Sequence, residues 1–188
     1  DKHFTFSKLL SWVAIDRAVK ISKLIGKKDK TNKWLKLRNE IRKEILNKGW
    51  NNKIKAFSQS YGSDELDASV LLMESYDFIN ASDKRYISTV KAIEKELMSN
   101  GLLYRYKNND DFGKPTSSFT VCTFWYINSL YKIGETEKSR ELFDQVLGYS
   151  NHLGLFSEDI DFNSKRLLGN FPQAYSHLAL IECALNFN

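Results

Sequence analysis

The chain has 188 residues, 42% of them hydrophobic, and a formal charge of +5, which fits one domain or a large part of one. No run approaches the roughly 20 uninterrupted apolar residues that a membrane helix needs, and the first residues have no signal-peptide pattern. These properties exclude a membrane-spanning helix and predict a soluble globular protein with no membrane partner.

Seven helical segments are predicted in chain order from the spacing of apolar residues, and no strand pattern competes with them. They cover residues 5–26, 30–48, 64–78, 84–99, 118–133, 135–148 and 171–187. Pro115 falls in a loop and Pro172 at a predicted helix start, so neither proline interrupts a helical run.

The predicted helices alternate in character. The first, third, fifth and seventh are apolar on most faces, whereas the second, fourth and sixth are amphipathic and charged. The apolar helices start near residues 5, 65, 118 and 171, which is a quasi-repeat of one helical hairpin. This pattern predicts an all-α protein with an inner layer of helices wrapped by an outer one, as in a solenoid or a closed toroid.

The positive charge is concentrated around the second helix. Residues 20–55 hold 13 lysines and arginines against three acidic residues. Such a patch is compatible with a nucleic-acid or other acidic surface as partner. A solvated outer helix explains it more simply, because Trp34, Leu37, Ile41 and Ile45 form a narrow apolar stripe with the lysines around it. We favour the outer helix and predict no nucleic-acid partner.

The loops that lead from outer to inner helices are long, and they contain the unusual polar residues. The first holds Gln59 and Tyr61, the second holds Arg105 with Asp110 and Asp111, and the third holds an acidic run that begins at Glu158. All of these loops lie at the amino ends of the inner helices. Because function concentrates on loops that a rigid scaffold positions, one end of the molecule is the predicted site.

The residue types in these loops suit carbohydrate chemistry. Aromatic rings pack on the C–H faces of sugars, arginine and acids bind hydroxyl groups, and a pair of carboxyl groups cleaves a glycosidic bond. In an inverting hydrolase, one acid protonates the leaving oxygen and a base about 6.5–9.5 Å away activates water. Glu158, between Phe156 and Ile160, is the candidate base. The competing interpretation is that it caps a helix or is a solvated anion.

Several segments, taken together and in order, resemble glycoside hydrolase family 15, which contains glucoamylases, glucodextranases and some trehalases. The segments are His3-Phe4-Thr5-Phe6-Ser7-Lys8, Gln59-Ser60-Tyr61-Gly62, Leu66-Asp67-Ala68-Ser69, Gly101-Leu102-Leu103-Tyr104-Arg105-Tyr106, Gly154-Leu155-Phe156-Ser157-Glu158-Asp159 and Gly169-Asn170-Phe171-Pro172-Gln173-Ala174-Tyr175-Ser176-His177. The resemblance implies an (α/α)6 toroid, of which residues 1–188 would be the carboxy-terminal portion. It also implies inverting hydrolysis of α-linked glucosides, most simply a glucoamylase-like release of glucose, with trehalase or glucodextranase activity as alternatives.

The resemblance also implies roles for individual residues. Glu158 matches the general base, and Arg105 matches an arginine that binds the sugar in the cleaved subsite. Asp110 and Asp111 fall where the family places groups for the neighbouring sugar. Tyr61 either lines the pocket or caps the third helix, and the sequence leaves both interpretations open.

Two departures from the family pattern affect the predicted activity. Many members have a glycine- and glutamate-containing stretch before the fifth helix, where this chain reads Lys114-Pro115-Thr116-Ser117-Ser118, so the substrate is left open. The family's general acid lies in a Trp-Glu motif upstream of the segment that matches residues 3–8, and the chain begins at Asp1. Because Glu65, Glu74 and Glu182 do not match that motif, the 188 residues alone are predicted to be close to inactive.

The remaining conspicuous residues have structural interpretations. Asp16 and Arg17 are predicted to form pairs between helices, and His177 to be a core histidine, since three scattered histidines offer no metal-ligand spacing. Neither a metal nor a cofactor is predicted. Cys122 and Cys183 are predicted to be free, buried thiols in a reducing, cytoplasmic environment.

A half-toroid exposes apolar helices at its open edges, which predicts association with the amino-terminal half of the same enzyme or self-association. The alternative function is a non-catalytic helical-repeat module that binds its partner through the basic second helix. The presence or absence of a Trp-Glu motif in the parent gene, shortly before Asp1, separates the two hypotheses.

Overall fold

The computed structural model describes residues 2–27, 31–111 and 113–187, and helices form most of its regular structure. The helices are α1 (Thr5–Leu24), α2 (Thr31–Glu44), α3 (Leu72–Ser75), α4 (Lys84–Leu97), α5 (Thr120–Lys132), α6 (Thr136–Leu147) and α7 (Ala174–Ala184). A π-helical turn (Ile45–Gly49) extends α2, and short 3-10 turns precede α3 (Ala68–Leu71) and follow α7 (Leu185–Phe187).

The third predicted helix is shorter in the structure than the sequence prediction of residues 64–78. Helical structure begins only at Ala68, because Asp67 has an extended backbone (φ −136°, ψ 128°) and its carboxylate accepts a 2.8 Å hydrogen bond from the Ser69 N–H. A side-chain acceptor in this position satisfies a free N–H of the first turn and fixes the helix start. The segment ends before Asp77, whose φ of 62° is left-handed.

The seventh helix begins three residues later than the predicted residue 171. Gln173 is still extended (φ −103°, ψ 110°), so α7 begins at Ala174 and Pro172 lies in the preceding loop. The other predicted boundaries agree within a few residues, except that the predicted first residue of the second helix, residue 30, lies outside the described residues.

Short antiparallel strands, which the sequence analysis did not predict, close the long loops. They are β1 (Trp50–Asn51), β2 (Ala56–Phe57), β3 (Met98–Ser99), β4 (Leu102–Leu103), β5 (Ser118–Phe119), β6 (Asp159–Ile160) and β7 (Leu167–Leu168). They pair as β1–β2, β3–β4 and β5–β6–β7. Strands of two residues are too short to produce a readable alternation of polar and apolar residues.

Helix α5 is the centre of the core. Ten of its 13 residues are buried, and it packs against α4, α6 and α7. The amphipathic helices α4 and α6 bury one stripe each, and α2 covers α1. The predicted inner and outer layers are therefore present, but α1 and α7 leave apolar side chains exposed. These side chains include Leu10, Ile21, Leu24, Leu178, Ile181 and Leu185.

Both cysteines are buried free thiols, as the sequence predicted. The Cys183 thiol donates to the Phe124 carbonyl over 2.9 Å, so it contributes to the contact between α7 and α5. Among the described residues, no helix is both long and apolar enough to cross a membrane.

Candidate active site

A three-stranded sheet places Glu158 at the amino end of α5. In this sheet β6 pairs with β5 on one side and β7 on the other, with Asp159 opposite both Phe119 and Leu168. The Glu158 carbonyl accepts a hydrogen bond of 2.9 Å from the Thr120 N–H, the first residue of α5. The backbone of Glu158 is therefore fixed between the central helix and the β6–β7 hairpin.

The carboxylate of Glu158 is half-buried and points towards the loop that precedes α7. Its Oε2 atom accepts hydrogen bonds from the backbone N–H (3.2 Å) and the side-chain amide (2.9 Å) of Asn170. Its Oε1 atom accepts a longer bond of 3.4 Å from the Gln173 amide. An ionised carboxylate held by hydrogen bonds from neutral amide groups is suited to accept a proton.

The neighbouring acid, Asp159, has a different environment. Burial raises the pKa of its carboxyl group, a hydrogen bond from the Ser117 hydroxyl lowers it, and the charge of Glu158 raises it again. Asp161 is half-buried and accepts hydrogen bonds from the N–H groups of Asn163 and Ser164. These bonds close the turn of the β6–β7 hairpin. These two acids are neighbours that shape the loop around Glu158.

Arg105 follows strand β4, and its side chain is 43% exposed. Its Nε atom lies 3.6 Å from Oδ2 of Asp67, and its guanidinium lies 5.6 Å from the centre of the Tyr106 ring. The Arg105 carbonyl also accepts a hydrogen bond of 2.8 Å from the Ala68 N–H. The buried Asp67 therefore both caps the start of the third helix and orients the exposed Arg105.

A cavity of about 490 Å³ opens beside Arg105. Asp110 and Asp111 line it, as does Gln59, whose amide donates to Asn108 over 3.3 Å. The Tyr106 hydroxyl donates a 2.6 Å hydrogen bond to Asp110, which raises the pKa of Tyr106 to about 12. The structure thus brings both predicted aspartates to the same cavity as the arginine.

Tyr61 has a different position. Its N–H donates to the His3 carbonyl (3.0 Å), and the two rings lie 5.9 Å apart. It is not among the residues that line the cavity beside Arg105, and its buried hydroxyl has no hydrogen-bond partner within the described part of the chain. Burial, and then the charge of Glu44, raise the pKa of Tyr61 to about 12. Gln59, and not Tyr61, lines the cavity beside Arg105.

Arg105 and Glu158 lie at the same end of α5. Strand β4, which precedes Arg105, packs on β5, and β5 pairs with β6, which follows Glu158 directly. Burial raises the pKa of the Cys122 thiol, which lies in the first turn of α5. The charges of Asp67 and Asp159 raise this pKa further, and the charge of Arg105 lowers it. The structure therefore places the arginine and the acidic loop around the first turns of one helix.

The residues that received structural interpretations from the sequence fit those roles. Asp16 is buried and contacts Arg17 (2.7 Å), Lys20 (3.0 Å) and Arg38 of α2 (3.2 Å), so it ties α1 to α2. His177 is half-buried, its Nδ1 bonds the Gln173 carbonyl (2.8 Å), and its Nε2 accepts from the Phe156 N–H (3.3 Å). Within the described ranges, no group of three metal-ligating side chains exists.

The sequence analysis assigned no role to three residues that shape this site. Asn170 and Gln173 bind the Glu158 carboxylate, and Asp67 pairs with Arg105. The spacing of Asp67 and Ser69 is a recognisable helix-start signal. The contacts of Asn170 have no comparable signal, because Asn170 and Glu158 are twelve residues apart and are brought together by the pairing of β6 with β7.

The fold is of the (α/α)6 class, which solved glycosidases share. A solved glycosidase in complex with glucose superposes with a TM-score of 0.83 at 14% identity, and the match covers 99% of this chain and 52% of that one. The chain belongs to the glycosyl hydrolases family 15, whose family model matches residues 1–185. The resemblance found in the sequence and the predicted (α/α)6 fold class are thus confirmed.

The similar curated proteins include several trehalases. A trehalase of Thermoplasma volcanium is 42% identical over 184 residues, covering 97% of this chain and 30% of that protein. A trehalase of Mycolicibacterium smegmatis is 39% identical over 188 residues, covering 98% of this chain and 28% of that protein. The chain therefore spans under a third of the length of these relatives.

Proposed function

We propose that this chain is the carboxy-terminal part of the catalytic domain of an inverting glycoside hydrolase that cleaves an α-glucosidic bond. The observation that carries the proposal is the Glu158 carboxylate, which is half-buried, bound by Asn170 and located at the same helix end as Arg105. The supporting comparison is the family match, which covers nearly the whole chain.

In this mechanism Glu158 is the general base. It accepts a proton from a water molecule while the water oxygen bonds to the anomeric carbon from the face opposite the leaving group. The glycosidic oxygen leaves with a proton from a general acid on the other side of the sugar. Such proton transfers contribute about 10²–10⁴-fold each. Glu65, Glu74 and Glu182 do not fit the acid's motif, so we assign the acid to another segment of the complete enzyme.

Arg105 is the proposed anchor for the sugar in the cleaved subsite. Its guanidinium is partly exposed, and its planar donors suit the hydroxyl groups of a glucoside. Asp110 and Asp111 line the adjoining cavity and are the proposed contacts of the neighbouring sugar. For Tyr61 the proposed role is structural, because it lies outside the lining of this cavity.

We infer that trehalose is the substrate, in preference to starch-like oligosaccharides or dextran. The support is the identity of 39–42% to the two trehalases over nearly the whole chain. The test is hydrolysis of trehalose, maltooligosaccharides and isomaltooligosaccharides by the complete enzyme, with the anomer of the released glucose followed by NMR. Trehalose cleavage that releases one β-glucose per α-glucose supports the proposal, and a preference for maltooligosaccharides contradicts the substrate assignment.

The role of Glu158 is tested by Glu158→Gln in the complete enzyme. The amide keeps the shape of the carboxylate but cannot accept the proton of water, so kcat is expected to fall by about 10²–10⁴-fold while folding and sugar binding persist. Glu74→Gln is the matched control, since Glu74 is half-buried at a different cavity. An active Glu158→Gln enzyme would remove Glu158 from the base role.

The alternative function, a binding module that uses the basic α2 helix, has one observation in its favour. Lys33, Lys36 and Lys43 are exposed, whereas Arg38 and Arg42 bind Asp16 and the Phe78 carbonyl within the fold. The hydrolase proposal expects no specific nucleic-acid binding. Salt-dependent binding to duplex DNA that disappears when the three lysines are neutralised would favour the alternative.

The free thiols Cys122 and Cys183 support a reducing, cytoplasmic location.

A further inference from the structure

Asn170 and Glu158 are joined at three points across the base of the β6–β7 hairpin. The Glu158 N–H donates to the Asn170 carbonyl (2.9 Å). In return, the backbone N–H and the side-chain amide of Asn170 both donate to Oε2 of Glu158, over 3.2 and 2.9 Å. Two donors therefore occupy one carboxylate oxygen, and the same residue fixes the backbone that carries it.

The glycine before Asn170 closes the same side of the carboxylate. Gly169 has a left-handed backbone (φ +74°), and a Cβ atom at this position would lie 2.9 Å from Oε2. The Glu158 carboxylate thus packs directly against the peptide of residue 169. Oε2 is therefore contacted by the backbone of residue 169 and by the two donors of Asn170.

The other oxygen, Oε1, is less restricted. Among the described residues its hydrogen-bond donor is the Gln173 amide, at 3.4 Å. Gln173 is itself held in place, since its N–H donates to the Phe156 carbonyl (2.9 Å) and its carbonyl bonds Nδ1 of His177 (2.8 Å). Oε1 therefore keeps lone-pair capacity for a further donor, such as a water molecule.

We propose that Asn170 is a positioning residue that binds Oε2 of Glu158 and thereby presents Oε1 to the attacking water. This inference rests on the proposed function, in which Glu158 is the base. The proton of water passes to Oε1 as the water oxygen bonds to the anomeric carbon, and the glycosidic oxygen leaves with the proton of the general acid. Without the side-chain amide of Asn170, the backbone N–H of residue 170 is the remaining donor to Oε2 described above, so the carboxylate rotates more freely and the population aligned with the water falls.

The test uses the complete enzyme with Asn170→Ala and Asn170→Asp. We expect kcat to fall by about 10–100-fold in Asn170→Ala, which is the effect of losing a charge-assisted hydrogen bond, with KM changed less than about twofold. Asn170→Asp preserves the side-chain shape but replaces the donor by a second carboxylate, so its loss should be at least as large. The acidic limb of the pH–rate profile should move to higher pH in both, because a donor to the charged base is missing.

Asn163→Ala is the matched control. Asn163 lies in the same hairpin and bonds Asn100 instead of Glu158, so its removal should leave kcat and the pH profile unchanged. Normal kcat and an unmoved acidic limb in a folded Asn170→Ala or Asn170→Asp enzyme would overturn the proposal. If Glu158→Gln is inactive while the Asn170 variants are normal, the positioning role fails and the base assignment survives. An active Glu158→Gln enzyme would contradict both the base assignment of Glu158 and the positioning role of Asn170.

Discussion

The guanidinium of Arg105 and the carboxylate of Asp67 lie 3.6 Å apart, and Asp67 is the buried partner of the two. The other carboxylate oxygen of Asp67 accepts the Ser69 N–H that starts the third helix. The orientation of the arginine is therefore coupled to the amino end of a core helix. An arginine held in this way is pre-organised, so in its proposed role as sugar anchor Arg105 would lose little side-chain entropy on binding.

Asp67→Asn should separate the two functions of this acid. The amide oxygen still accepts from Ser69, so stability should change by less than about 1 kcal/mol. The charge that orients Arg105 is lost, and kcat/KM should fall by about tenfold, measured by steady-state kinetics of the complete enzyme. Asp83→Asn is the control, because Asp83 also caps a helix and pairs with an arginine, Arg85, away from the site. Equal kinetic effects in the two variants would contradict the prediction.

Gly169→Ala should impair the complete enzyme by displacing the carboxylate of Glu158, the proposed base. The new Cβ would lie 2.9 Å from Oε2 of Glu158, which is closer than real Cβ contacts, and 3.1 Å from Cβ of Glu158, which is tighter than most of them, so the Glu158 side chain would have to move. Gly154→Ala provides the control, since Gly154 has the same φ of +74° and open space around it. Both variants should lose about 1–2 kcal/mol of stability to backbone strain. Only Gly169→Ala should also lose kcat, by about tenfold or more, and a similar kcat in the two variants would exclude the steric effect.

The helices could be predicted because their apolar residues recur at helical spacing, and these apolar residues are the ones that become buried. Tyr86, Val90, Ile93 and Leu97 recur at helical intervals in the sequence, and all four are buried on α4. The third helix was overestimated because the apolar residues around it suggest a longer helix than the backbone forms. Here the hydrogen bond of Asp67, a local effect, decides the start.

The candidate site was predictable only in part. The loops that carry Arg105, Asp110 and Glu158 were located from their length and composition. The structure bonds the Glu158 backbone to the first residue of α5 and brings Asp110 to the cavity beside Arg105, whereas Glu158 is not among the residues that line that cavity. The contacts that orient the side chains were not predictable, because they join residues distant in sequence. Register between two-residue strands, such as Asp159 opposite Leu168, leaves no periodic signal in the sequence.

Asp159 should make stability depend on pH. Burial raises its pKa above the ordinary value of 3.8, so the folded state binds this proton more tightly than the unfolded chain. Its contribution to the free energy of unfolding is therefore most favourable below pH 3.8 and declines as pH rises towards the folded-state pKa. Asp159→Asn should raise Tm at pH 7 by about 2–4 °C, with no gain at pH 3, measured by calorimetry.

Asp161 is the control for this experiment, because its shift has the opposite sign. Hydrogen bonds from Ser164 and Asn163 lower the pKa of Asp161, so its stabilising contribution is present above the unfolded pKa and is lost as pH falls through the folded-state value. Asp161→Asn should therefore lower Tm at pH 7 and have no effect at low pH. If Asp159→Asn also lowers Tm at pH 7, burial of the charge is not the dominant effect.

The exposed apolar side chains of α7 and of the turn that follows it should make the isolated 188-residue chain self-associate. Leu178, Ile181 and Leu185 recur at helical spacing and are 63%, 57% and 67% exposed, so they form one apolar stripe. We expect light scattering to show dimers or larger species at micromolar concentration, and the double variant Leu178→Lys, Ile181→Lys to reduce them. Leu153→Lys is the control, since Leu153 is 68% exposed but lies in a loop and not in this stripe. A monomeric wild-type chain would show that this stripe does not need a partner.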